Sequence, residues 1–198
     1  MRRLLAALAL LALTACAAAP EIEEAPEPIG DFKLGFLVPV ASENLTRGPL
    51  SREATPEEWK AAAEAAFRPR FERYEGGAFY HLGVIIEGYV LAQPGIPVVA
   101  APKSVLIFSV TLIEDATGTT LLEEPEQFTV VETLTAGSVL GSGFIQSREE
   151  QMANLSENAA MRVETWMREQ PWFFDPSPVP PAPPAEDATE APETAESE

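Results

Sequence analysis

The sequence predicts an α+β domain: an antiparallel sheet of about four strands with two helices packed on it, in the order β-α-β-β-β-α. Three observations carry this expectation. Two capping boxes, Thr55 to Glu58 and Ser147 to Glu150, each open a run whose apolar residues recur at steps of three and four. Three stretches, 31–40, 78–91 and 104–114, alternate or saturate with β-branched and aromatic residues. The segment Asp115-Ala116-Thr117-Gly118 then supplies turn chemistry ahead of a short fourth run, 128–132.

The first strand, DFKLGFLVPV, places Phe32, Leu34 and Phe36 on one side before becoming continuously apolar, as a strand partly covered on both faces would. Residues 41–54 are polar and turn-rich and read as a loop. Thr55-Pro56-Glu57-Glu58 starts the first helix: threonine caps the first-turn amides, proline suits the first position, and the acids meet the positive helix end. Trp59, Ala62, Ala63, Ala66 and Phe67 form its buried stripe, and Pro69 is expected to end or bend it near Phe67. Arg68, Arg70 and Arg73 follow with Glu72. They suit the negative helix end and pairing with the abundant acids better than the cradling of an anion.

In 78–91 one face carries Tyr80, Leu82, Val84, Ile86 and Val90, and the other carries Phe79, His81, Ile85, Glu87 and Tyr89. The first is a core face; the second is amphipathic. An apolar connection with two prolines, 96–102, precedes the third strand, in which Leu106, Phe108, Val110 and Leu112 oppose Val105, Ile107, Ser109, Thr111 and Ile113. These strands should form an antiparallel meander. A glycine- and serine-rich stretch, 133–146, leads into the second helix, with Met152, Leu155, Ala159, Val163 and Trp166 inward and a stop at Pro171. Trp172, Phe173 and Phe174 should close the core.

Flanking segments divide the chain into 1–15, 16–30, the folded block 31–175 and a tail, 176–198. Residues 17–30 mix alanine, proline and four glutamates with no base, which suits a solvated tether. The tail holds six acids, no base and many prolines, and should be extended and disordered. The chain's formal charge is −18; setting aside the acids of both flanks leaves 21 acids against 11 bases in the block. Such a surface, taken as a whole, is a poor partner for nucleic acid and for anionic lipid headgroups, both of which need concentrated Lys and Arg.

At the N-terminus, Arg2-Arg3 precede ten uninterrupted apolar residues, Leu4 to Leu13, in the pattern of a secretion signal and too short to span a bilayer. Leu13-Thr14-Ala15-Cys16 then resembles the lipobox of bacterial lipoproteins. That resemblance implies acylation of Cys16, cleavage just before it, and, with alanine at position 17, anchoring to the outer membrane facing the periplasm. Cys16 is the only cysteine, so no disulfide framework competes for it. The lines YHLGVIIEGYVLAQPGIPVVAAPKS and AGSVLGSGFIQSREEQMANLSENAAMRVETW resemble uncharacterised alphaproteobacterial envelope lipoproteins. More distantly, the chain resembles the auxiliary lipoproteins of lipid-trafficking transporters. The resemblance supplies a location and no reaction.

No catalytic residue is assigned. His81 is the single histidine, and its nearest same-face carboxylate on the strand, Glu87, lies about 20 Å along the extended chain. Gly141-Ser142-Gly143 is too short for a nucleophile elbow and is followed by no phosphate-loop lysine. One imidazole and no free thiolate disfavour zinc, and Glu114–Gly118 lacks the spacing of an EF-hand loop, so neither metal nor cofactor is expected. The leading expectation is a non-enzymatic lipoprotein that binds a protein or lipid partner in envelope assembly or transport. Ile96, Pro97, Val98 and Val99 are its candidate contact. A structural spacer is the alternative, and a hydrolase pairing Ser142 with His81 the remote one.

Overall fold

A computed structural model describes residues 26–93, 103–132 and 146–173. The expected α+β architecture is present. Strands β1 (Phe32–Arg47), β2 (Ala78–Val90), β3 (Val105–Glu114) and β4 (Glu126–Val131) form one sheet in the order β1-β2-β3-β4. Helices α1 (Pro56–Phe71) and α2 (Arg148–Arg168) pack together on one of its faces, and a single 3-10 turn, Pro171–Phe173, follows.

The antiparallel meander holds for β2, β3 and β4, but β1 pairs with β2 in parallel. The physical reason is the connection: α1 lies between β1 and β2 and carries the chain back to the starting end of the sheet, so β2 must run the same way as β1. The two helices also run parallel to each other. Glu58 meets Arg148 where both begin, and Arg70 meets Glu164 near where both finish. The molecule therefore has two poles. At one, β1, β2 and β4 end and both helices begin; at the other, β1 begins, both helices end, and Phe173 closes the turn.

Both helix starts form as their sequences dictate. Thr55 and Ser147 accept from the amides of Glu58 and Glu150, whose carboxylates reach back to the cap amides. Pro69 does not end α1. It lies in the last turns, where losing one amide bond to Ala65 is offset because Phe67 and Phe71, one helical turn apart, are both fully buried. The stripe Trp59, Ala63, Phe67, Phe71 faces the sheet, and Ala62 and Ala66 are only partly buried.

Two strands shift phase through bulges. In β1 the pairing slips between Leu34 and Leu37, so Phe32, Leu34 and Leu37 point inward while Phe36 is turned out and 68% exposed. In β2 a slip between Ile86 and Gly88 brings Tyr89 into the core and turns Val90 toward the other face. These are corrections to the simple alternation expected of both strands. A third is length: β1 continues through Arg47 into the stretch expected to be a loop, rejoining β2 at Thr46 and Gly88.

The core lies between sheet and helices. Phe32 stacks on Tyr80 and meets Phe71, Tyr74 and Phe173 edge-on. Phe108 stacks on Phe128, which meets Trp166. Phe173 is buried, as expected of the aromatic run; Phe174 and the Trp172 side chain lie outside what is described. Ile29, within the expected tether, is fully buried. The turn at Gly30 passes so close to Phe173 that a Cβ there would overlap its carbonyl, and the residue takes φ +48.

Candidate functional site

Because α1 and α2 occupy one face of the sheet, the alternate residues of every strand are left on the other. Register places them in rows: Lys33 beside Phe79, His81 beside Ile113, Val38 beside Gly83 and Thr111, and Val40 beside Ile85, Ser109 and Gln127. Along the outer strand this face is apolar and uncovered. Phe36, Val38, Val40 and Phe79 are 68%, 51%, 38% and 45% exposed, values more typical of polar side chains. Lys33 lies over the Phe79 ring, 5.2 Å from its centroid. Toward β4 the face becomes polar, where Glu87 accepts from Ser109 Oγ and Gln127 Nε2, both at 2.5 Å.

His81 sits between these zones. Its Nδ1 accepts the Phe36 amide at 3.1 Å, its Nε2 lies 3.0 Å from Asp115 Oδ1, and its ring is 4.9 Å from that of Phe36. The partner is Asp115, not Glu87. Glu87 is committed to the strands beyond, as the extended-chain distance requires, whereas Asp115 comes from the β3–β4 turn. The antiparallel register pairs His81 with Ile113, and two residues later the chain turns, leaving the Asp115 carboxylate over the ring. The bulge that turns Phe36 outward also aims its amide at Nδ1. With Nδ1 accepting the Phe36 amide and Nε2 facing the Asp115 carboxylate, neither ring nitrogen is left to activate a nucleophile.

A second constellation joins the helix ends. Glu164 is nearly buried, its side chain 5% exposed, and takes Arg70 at 2.7 Å, Arg168 at 3.2 Å, and still shorter bonds from Arg73 and the Tyr74 hydroxyl. Burial pushes its carboxyl up, but the bonds from Tyr74, Arg73 and Arg70 outweigh that and hold it below the usual glutamate range. Burial, with Glu164 alongside, pushes the Tyr74 hydroxyl up to about 12. Arg68 pairs separately with Glu64 and Glu72. The expected pairing of the arginines with acids is thus present, but its central acid, remote in sequence, was not identified. The signal was an acid at an inward position of α2, between Ala160 and Met167. Beside it a shallow depression of about 540 Å³ is lined by Pro26, Pro28, Phe32, Arg73, Tyr74 and Glu75.

Among the described residues no group of three His, Cys, Asp or Glu is arranged to hold a metal ion, and no helix is long and apolar enough to cross a membrane. Cys16, Ser142 and the contact candidates Ile96, Pro97, Val98 and Val99 lie outside the described residues. The last four belong to residues 94–102, which connect β2 to β3 in the sequence.

No family model matches the chain, and no curated protein matches it. Solved structures with some likeness include a Xanthomonas campestris protein of the DUF330 family, at 12% identity and a TM-score of 0.41, covering 72% of this chain and 86% of that one. The PelC dodecamer from Paraburkholderia phytofirmans gives 12% identity and 0.34, covering 68% and 88%. A minor lipoprotein from Acinetobacter baumannii gives 12% and 0.27, covering 61% and 91%. Likeness at these levels carries no inference about activity.

Proposed function

We propose that this protein is a non-enzymatic lipoprotein, acylated at Cys16, held at the periplasmic side of the outer membrane, and serving as a binding module in envelope assembly or transport. The anchor rests on Leu13-Thr14-Ala15-Cys16 behind a basic and apolar leader. The non-enzymatic part rests on one observation: the single histidine has both ring nitrogens engaged, by the Phe36 amide and by Asp115. A hydrolase that pairs His81 with a serine would need one of them free toward the nucleophile. Ile96, Pro97, Val98 and Val99 remain the proposed contact with a partner protein or lipid, an apolar run carrying proline between the second and third strands.

The test is metabolic labelling with an alkyne fatty acid, followed by fractionation. Wild-type chain should carry the label, begin at Cys16 by mass and float with outer membranes. Cys16→Ser should lose both label and flotation. A mature wild-type chain that begins elsewhere and stays in the aqueous fraction would overturn the reading.

A further inference from the structure

The tether of the proposed lipoprotein sets how far the domain can stand from a bilayer but not which way it faces. Twelve residues, 17–28, precede the buried Ile29 and reach about 40 Å when extended, well beyond the radius of gyration of roughly 15 Å expected for a domain of this size. A fixed orientation needs a second contact. The uncovered stripe Phe36, Val38, Val40 and Phe79 lies on and beside the strand that the tether feeds directly, since β1 begins only two residues after Gly30. Its charge fits a lipid surface. From Phe32 to Ser42 the sole charged residue is Lys33, a base, in a chain of net charge −18, with Asp31 and Glu43 only at the two ends of that run and Glu75 in a backbone bridge to Lys33 at the strand edge. Of the acids bordering this face, Glu87 is bonded to Ser109 and Gln127, and Asp115 to His81.

We infer that this stripe lies against the surface of the bilayer in which Cys16 is anchored, with Phe36 and Phe79 in the headgroup boundary and Lys33 at the lipid phosphates. The sheet then faces the membrane and both helices face away from it. This rests on the lipoprotein reading and adds an orientation to it.

The experiment uses the full chain, processed in cells and reconstituted into vesicles of phosphatidylethanolamine and phosphatidylglycerol. Val38→Cys is labelled with the fluorophore NBD, with Glu157→Cys on the exposed side of α2 as control and an unchanged thermal transition as the check on folding. Docking predicts blue-shifted emission at position 38, quenched by doxyl-labelled lipid, and water-like, unquenched emission at 157. Water-like emission at 38 would overturn the docking. So would a blue shift that doxyl lipid leaves unquenched, which would assign the stripe to a second copy of the chain. A second NBD group on Cys16, in chain that no longer floats with vesicles, would instead sink the anchor and the docking together.

Discussion

Glu164 takes four partners, three of them guanidiniums: Arg168 in its own helix, Arg70 of α1, and Arg73 and Tyr74 just past the end of α1. Removing the acid leaves those cations crowded and partly desolvated. Glu164→Ala should therefore cost stability toward the low end of the ~3–5 kcal/mol typical of breaking a buried pair, since the arginines are 19% to 30% exposed and partly screened by water. Denaturant titration checks this. The carboxyl is held below its unfolded value, so its contribution is fully present above the ordinary glutamate range and is lost as pH falls through the folded value. Glu164→Gln should accordingly flatten the acid limb of the stability profile, while differing little in slope from wild type near neutrality. Arginine pairing could be read from local composition. The identity of its acid could not, because nothing local brings residues 90 positions apart to one point.

Helices were the most legible elements. Capping and periodicity act within a few residues, so both starts and most inward positions could be read directly. Each cap is worth about 1 kcal/mol; Thr55→Ala and Ser147→Ala should each lower the thermal transition by an amount matching that loss. The cost should be similar for both, because each cap makes the same reciprocal pair of bonds. Strand faces were legible only up to their bulges. Alternation reports side-chain direction while the ladder is regular, and a single extra residue inverts everything beyond it. For this reason Phe36 and Val90 were expected inside and Leu37 and Tyr89 went unread as core. Pro69 misled for the complementary reason: local propensity set a helix end that the burial of Phe71 overrode.

At the scale of the molecule, class and element order could be read, but the direction of β1 could not, because pairing partners are chosen by long-range packing. The candidate site was half legible. An amphipathic face around His81 was evident from its strand, whereas Asp115 and the outward Phe36 required the register and the bulge. Residues 176–198 combine six acids and seven prolines with a single large apolar residue, Val179, and so have little to bury. Deleting residues 176–198 should therefore leave the thermal transition of the domain unchanged. A marked drop on calorimetry would mean that the tail contributes to the core. A cell-envelope defect with an unaltered domain would favour the spacer role.

The junction at Gly30 and Asp31, where the Asp31 amide binds the Phe173 carbonyl at 3.1 Å, decides how the molecule bears mechanical load. Tension applied between the proposed anchor at Cys16 and the C-terminal residues beyond Phe173 enters and leaves through that one junction and bypasses the sheet. Tension between the anchor and a partner gripping the opposite pole runs lengthwise along β1 and must shear its ladder with β2. The same chain should therefore yield softly to the first pull and resist the second.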